Sequence, residues 1–145
     1  MRAVVTRVKS ASVDIGGAVK SSIGKGFLVL LGVHEEDTEA EALKIADKIC
    51  GLRVFEDENG KMNKGLKDVD GAILSISQFT LYADTKQGNR PGLTGAARPE
   101  IAEPLGERFN QKRTATGVHV ETGHFGADMK VDLENDGPTT IIYEK

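Results

Sequence analysis

The first third of the chain contains apolar runs without helical spacing, a pattern typical of β-strands. Valine and isoleucine recur through residues 1–9 and 11–15, and Gly16 and Gly17 then provide a turn. Residues 27–33 are apolar almost without interruption, which predicts a central strand covered on both faces.

Two later segments carry the signals of helices. In residues 38–50, Thr38 and Glu41 have the spacing of a capping box, and Gly51 is placed to end the helix. One face of this helix is apolar: Ala42, Ile45, Ala46 and Ile49. A second helix is expected within residues 98–117, where Pro104 either kinks the helix or begins its regular part.

The remaining pattern predicts further strands and thereby the fold class. Further strands are expected in five segments, and residues 58–71 are expected to form a polar turn region. The five segments are 52–57, 72–82, 118–122, 129–135 and 139–145. In the fourth of these, Met129, Val131 and Leu133 should point inward. Strands outnumber helices, so we expect one α+β domain over residues 1–145, with a mainly antiparallel, curved or barrel-like sheet and two helices.

Composition and charge narrow the possible partners and the compartment. The 145 residues carry a net charge of −3, so a site for nucleic acid has to be local, and Lys86, Arg90 and Arg98 lie in a stretch without acids. The single Cys50 suits a reducing compartment and fits a buried structural thiol better than a reactive one. No secretory leader and no apolar run of membrane length is present, so we expect a cytoplasmic protein with no membrane partner.

The most unusual polar positions follow the apolar part of residues 72–82. If that segment is one strand, Gln78 and Thr80 share a face with Leu74 and Ile76. Either they end a strand in water, or they face a ligand. A catalytic Thr80 hydroxyl needs a base, and no histidine is near it in sequence, so hydrolysis would rely on backbone amides and on the substrate itself.

Other candidate chemistry is weak. His119 and His124 are more plausible as surface histidines than as metal ligands, because their spacing matches no metal motif. The glycines form no phosphate-binding motif before a helix. Residues 135–140, "NDGPTT", suggest a turn, and the bond before Pro138 is of the kind that can be cis.

Two separated segments carry a family resemblance. "SQFTLYAD" followed by "KQGNRP", together with "TGHFGADMKVDLENDGP" near the C-terminus, closely resembles the D-aminoacyl-tRNA deacylases, formerly called D-tyrosyl-tRNA deacylases. The likeness runs nearly end to end. It implies a homodimer with active sites at the subunit interface, which cleaves the ester between a D-amino acid, or glycine mischarged on tRNA-Ala, and the 3′ adenosine of tRNA.

The resemblance also implies roles for particular residues. The pocket for the adenosine and the scissile carbonyl is lined by four consecutive residues: Ser77, Gln78, Phe79 and Thr80. Gly137 and Pro138 match a Gly-cis-Pro motif that enters the partner's site and rejects L-aminoacyl groups. Three further residues wall the pocket: Phe125, Ala127 and Met129. No cofactor, catalytic metal or DNA partner is implied.

The chain departs from the family at Gln87 and at Gly92 and Leu93, which affects the expected tRNA contacts of Lys86, Arg90 and Arg98 rather than the chemistry. Two other functions remain open. One is a small-ester hydrolase with Thr80 as nucleophile, and the other is a non-catalytic dimeric module that binds tRNA through the loop 86–98.

Overall fold

The chain forms one main β-sheet with two helices and a separate small hairpin, described for all 145 residues by a computed structural model. The strands are β1 (Arg2–Ile15), β2 (Ala18–Ile23), β3 (Gly26–Gly32), β4 (Phe55–Glu56), β5 (Met62–Lys64), β6 (Ala72–Ser77), β7 (His119–Thr122) and β8 (Lys130–Glu144). The helices are α1 (Glu39–Cys50) and α2 (Pro99–Ala115), and the 3₁₀ turns are Lys67–Val69 and Phe79–Tyr82.

The main sheet is mixed and nearly closed. Its order is β2-β1-β3-β6-β7, and β8 pairs with the other edge of β1. Strand β1 runs antiparallel to β2, β3 and β8, whereas β3–β6 and β6–β7 are parallel. The Ser21 hydroxyl on β2 donates to the Thr122 carbonyl on β7 at 2.7 Å, which links the two ends of this order. The predicted α+β class with a barrel-like sheet and two helices is confirmed, although the pairing is mixed.

Apolar residues cover both faces of the sheet. The larger cluster joins the sheet to the helices and contains 19 buried residues, including the whole apolar face predicted for α1. A cluster of seven lies apart from it and includes Leu28, Leu74 and Ile76. Phe27 and Val29 belong to the larger cluster and Leu28 to the smaller one, so β3 is central and covered on both faces, as its apolar run predicts. Burying each large aliphatic side chain contributes about 1.5–3 kcal/mol.

The first helix follows its local signals. The Glu41 carboxylate accepts hydrogen bonds from the Thr38 hydroxyl at 2.6 Å and the Thr38 N–H at 2.7 Å, and these bonds lower the pKa of Glu41 to about 2. The helix ends at Cys50, with Gly51 as the next residue. Cys50 is half-buried, and the Thr116 hydroxyl lies 3.5 Å from its sulfur.

The second helix begins earlier than one of the two alternatives supposes. It starts at Pro99, whose missing N–H costs nothing in the first turn, and continues through Pro104. The alternative in which the regular part starts at Pro104 is therefore wrong.

Several strand boundaries differ from the prediction. Strand β2 was not predicted, because its exposed outer half lacks an apolar signal. Strand β5 lies inside the segment expected to be a turn. Residues 129–135 and 139–145 belong mainly to the single long strand β8 rather than to two strands. Leu133 is not inward: 42% of its surface is exposed.

The predicted strand 72–82 is the most important correction. Strand β6 ends at Ser77, and residues Phe79–Tyr82 form a 3₁₀ turn. Leu74 and Ile76 share a face as expected, but Gln78 and Thr80 do not continue that face because the backbone has left the strand. No helix is long and apolar enough to cross a membrane.

Candidate active site

The segment after β6 is a tight turn with free main-chain donors. The Gln78 N–H donates to the Leu31 carbonyl at 2.7 Å, which anchors the turn to β3. The first bond of the turn runs from the Leu81 N–H to the Gln78 carbonyl at 3.3 Å. The N–H groups of Phe79 and Thr80 precede that bond and so have no partner within the turn.

A glycine allows this turn to lie against β3. A Cβ added to Gly32 would lie 3.0 Å from the Leu81 Cβ and 3.2 Å from the Gln78 carbonyl oxygen. Tyr82, at the end of the turn, contacts the His34 ring with 5.1 Å between ring centroids. Burial, reinforced by Asp37, raises the pKa of Tyr82 to about 12, so its phenol is neutral at physiological pH.

The turn borders an apolar cavity of about 340 Å³, here called the apolar cavity. Its lining includes five of the predicted residues: Ser77, Phe79, Phe125, Ala127 and Met129. Phe79 leaves 56% of its surface exposed there. The lining residues contain no titratable side chain: Val33, Ser77, Phe79, Ala97, Pro99, Ala102, Phe125, Gly126, Ala127 and Met129.

Two of the predicted residues lie beside this cavity rather than in its wall. The Thr80 hydroxyl accepts a hydrogen bond from the Gln78 amide at 3.1 Å. Gln78 instead lines a shallow apolar groove with Leu30, Val131 and Leu133, here called the apolar groove. Of the residues predicted for the pocket, the structure thus brings together Ser77, Phe79 and the segment 125–129.

A second cavity adjoins the apolar one. It measures about 460 Å³, lies between α2 and the ends of β6 and β7, and is here called the polar cavity. The two cavities share Ser77, Phe125 and Met129. The rest of the polar cavity is lined mainly by polar residues: Leu31, Ser75, Glu103, Gly106, Glu107, Asn110, Gln111, Thr122, Gly123 and His124.

The predicted basic residues lie outside both cavities. Lys86 and Arg90 belong to an exposed loop closed at its base by two 2.8 Å bonds between Asp84 and Gly92. Arg98 is exposed and directly precedes Pro99, which lines the apolar cavity. None of these three cations is in an ion pair within the chain.

The Gly137–Pro138 segment forms a bulge in β8, not a turn between strands. Thr140 pairs with Thr6, and Asn135 pairs with Val8, so four residues of β8 lie between pairs only two residues apart on β1. This segment, residues 136–139, is here called the proline bulge. Its Gly137–Pro138 peptide bond is cis.

A buried arginine holds the proline bulge. The Arg7 Nε donates to the Asp136 carbonyl at 3.0 Å, and Nη1 donates to the Val54 carbonyl. Gly137 has φ +129°, and a Cβ there would lie 2.6 Å from the Thr139 hydroxyl and 2.9 Å from the Arg7 guanidinium. A side chain at position 137 is therefore excluded by backbone conformation and by space.

The proline bulge and the turn after β6 lie far apart within one chain. Strands β1 and β3 separate β8 from β6, so the lateral path along the sheet is about 14 Å. Arg7 of β1, beside the bulge, pairs with Phe27 of β3, and Phe27 pairs with Ile73 of β6. Ile73 lies four residues before Ser77, so the path to the turn is longer by about 13 Å along the strand. Pro138 is exposed, on the side of β1 away from β6.

Sequence reasoning missed several residues with structural roles near these sites. Arg7 and Gly32 lie within strands and carry no local motif. Arg113 on α2 is fully buried, and its Nε and Nη1 are unpaired. Its guanidinium lies 3.8 Å from the Phe109 ring centroid, and burial lowers its pKa to about 9.

The two histidines considered as metal ligands lie in different places. His119 pairs with Glu121 at 2.7 Å, and His124 lines the polar cavity.

Comparison with solved structures defines the class of protein to which this fold belongs. A structure of the c-Myc DNA Unwinding Element Binding Protein matches with a TM-score of 0.93 and 44% identity, covering 100% of this chain and 99% of that one. A structure of a probable eukaryotic D-amino acid tRNA deacylase shares the fold with a TM-score of 0.83 at 16% identity, covering 98% of this chain and 97% of that one. The fold of this chain is thus the fold of both structures.

Sequence comparison then identifies the family. The family model for D-Tyr-tRNA(Tyr) deacylase matches residues 4–144. The D-aminoacyl-tRNA deacylase of Limosilactobacillus reuteri (strain DSM 20016) is 65% identical over 145 residues, which cover all of both chains. This chain belongs to the D-Tyr-tRNA(Tyr) deacylase family, and the predicted resemblance is confirmed.

Proposed function

We propose that this protein hydrolyses the ester of D-aminoacyl-tRNA, releasing the D-amino acid and free tRNA. The observation that carries the proposal is the apolar cavity, which has main-chain N–H groups at its edge and no titratable side chain in its lining. Membership of a deacylase family supports the same activity. Such a site suits an already activated ester, which requires little side-chain chemistry.

The terminal adenosine fits the apolar cavity. Phe79 and Phe125 provide aromatic surface on which a base can stack, and Met129 and Ala127 supply apolar contacts. With the base in this cavity, the 3′ ester reaches Ser77 and the turn that follows it.

The main chain then supports the chemical step. Water attacks the ester carbonyl carbon, and the N–H groups of Phe79 and Thr80 donate to the oxygen as it becomes negative. The bond to the ribose 3′ oxygen breaks, and that oxygen takes up a proton. The neighbouring 2′-hydroxyl of the RNA assists, in place of the missing side-chain base. Tyr82 is held neutral and cannot act as a base.

Chiral selection comes from the proline bulge of a partner subunit. Within its own chain the bulge is separated from the turn by two strands, so it reaches a pocket only in a second copy. The carbonyls of Gly137 and Pro138 hold the substrate amino group, and an L side chain is then directed into protein while a D side chain points to solvent. Glycine, including glycine mischarged on tRNA-Ala, has no side chain to clash and is cleaved too.

The apolar groove supports the homodimer. Leu133 is 42% exposed and lies with Leu30 and Val131 beside Gln78, next to the turn. A partner seated on this groove covers the exposed leucine and completes each site with a loop from the other chain.

The proposed substrate also assigns a role to the basic residues and a compartment to the reaction. Lys86, Arg90 and Arg98 are unpaired and contact the tRNA backbone near its 3′ end. Because charged tRNA is used at the ribosome, we place this proofreading reaction in the cytoplasm.

One assay tests the proposal against both alternatives. The protein is incubated with D-Tyr-tRNA, L-Tyr-tRNA and a simple D-tyrosine ester, and release of tyrosine is followed. We expect fast cleavage of D-Tyr-tRNA alone. Equal cleavage of the simple ester would favour a small-ester hydrolase, and salt-sensitive tRNA binding without release would favour a non-catalytic binding module.

A further inference from the structure

The polar cavity is not used by the proposed reaction, although it opens directly onto the proposed adenosine pocket. The two cavities share Ser77, Phe125 and Met129. Its volume of about 460 Å³ is within the usual range of ligand pockets, roughly 300–1,000 Å³. A ligand that fills the apolar cavity and continues beyond it has this neighbouring space available.

The chemistry of the lining limits what the polar cavity can bind. Glu103 and Glu107 are one helical turn apart on α2, both are exposed, and neither is in an ion pair. Thr122 and His124 face them from the segment at the end of β7. Two free carboxylates repel a phosphate, whereas they accept hydrogen bonds from an amino group. The cavity therefore suits an amine-bearing heterocycle and not the RNA backbone.

Phe125 adds an aromatic surface to the ligand-binding properties of the polar cavity. Its half-buried ring belongs to the walls of both cavities, so a base on either side has an aromatic surface beside it. Single-stranded RNA is commonly recognised in this way, with bases stacked on aromatic rings and read along their polar edges.

We propose that the polar cavity binds the base of the nucleotide before the terminal adenosine, a cytosine in the CCA end of tRNA. Glu103 and Glu107 accept from its exocyclic amine, the pairing by which carboxylates recognise cytosine, and Phe125 packs against the ring. The phosphate between the two nucleotides points to solvent, away from the carboxylates. This inference rests on the proposed deacylase function and extends it to a second nucleotide.

The experiment uses dinucleotide substrates that differ in a single base. D-tyrosine is esterified to the 3′ end of CpA and of UpA, and kcat/KM is measured for each. Uracil presents an acceptor where cytosine presents its amine, so we expect the intact protein to prefer CpA by about tenfold. Because the two substrates have the same phosphate charge, general electrostatic effects cancel in the ratio of their kcat/KM values.

A double variant tests the carboxylates. In Glu103→Gln/Glu107→Gln each side chain gains an amide donor for the uracil oxygen, so the preference should fall to about one. The matched control, Glu58→Gln/Glu100→Gln, removes two carboxylates outside the cavity and should retain the tenfold preference. All four positions are exposed, so none of the substitutions disturbs the core.

The outcomes separate this inference from the proposed function. Equal kcat/KM for CpA and UpA with the intact protein, or an unchanged preference in the cavity variant, would overturn the cytosine subsite. If the D-tyrosyl ester of adenosine alone is cleaved selectively over the L form, the deacylase proposal survives that result; if no D-aminoacyl ester is cleaved, the proposed function itself fails.

Discussion

The turn after β6 and the proline bulge both present main-chain groups, but their surroundings are opposite. The turn borders the apolar cavity of its own chain, and that cavity adjoins the polar cavity. The bulge is held from behind by the buried Arg7 and presents exposed Gly137 and Pro138 outward, with two strands between it and the turn. One region offers a pocket and the other a rigid main-chain surface, and the proposed homodimer would bring the two together between copies.

The largest expected effect comes from mixing two inactive variants. Ala127→Phe fills the apolar cavity, and Gly137→Ala forces the bulge to shift, so each alone should lose at least about 100-fold in activity on D-Tyr-tRNA. After the two are co-refolded in equal amounts, half of the dimers are mixed, and each mixed dimer contains one intact site. Activity should return to about a quarter of the native value.

The contrary result is equally clear. If pocket and bulge act within one chain, no combination of these two variants contains an intact site, and mixing restores nothing. A mixture of each variant with itself is the matched control for refolding.

The contrast between the two regions also shows what could be predicted from sequence. Helix α1 was predicted because its cap, its apolar face and its final glycine lie within 14 residues of one another. Gln78 and Thr80 were misplaced because strand alternation was extended past Ser77, where the chain instead enters a 3₁₀ turn closed by the Leu81 N–H on the Gln78 carbonyl. Arg7 resembled an ordinary strand residue, since its partner Asp136 lies 129 positions away.

The close contact between Gly32 of β3 and the turn provides the next prediction. Gly32→Ala places a Cβ against Leu81 and the Gln78 carbonyl, so it should lower the free energy of unfolding by about 1–3 kcal/mol and also reduce deacylation. Gly24→Ala is the matched control, because no atom lies within 4 Å of its added Cβ. Urea unfolding and kcat/KM check both variants. If Gly32→Ala behaves like Gly24→Ala, the turn does not depend on its contact with β3.

A smaller effect is expected at Thr80, which separates main-chain catalysis from a side-chain nucleophile. Its hydroxyl is bonded to the Gln78 amide and does not line the apolar cavity. Thr80→Ala should therefore keep the single-turnover rate within about tenfold of the native value, whereas loss of a true nucleophile costs on the order of a millionfold. A loss of several orders of magnitude with normal tRNA binding would assign the chemistry to the hydroxyl.

The smallest effect concerns the ionisation of Tyr82 at the end of the turn. Burial, with Asp37 adding to it, raises its pKa from 10.0 to about 12, so the folded chain keeps a proton that the unfolded chain releases between those values. Stability from this residue is complete below pH 10 and is lost as the pH rises toward 12. The chain has two tyrosines and no tryptophan, so in Tyr143→Phe the tyrosinate absorbance reports Tyr82 alone. A titration midpoint near 12 is expected in the folded protein; a midpoint near 10 would mean that the phenol is solvated and that neither burial nor Asp37 acts on it.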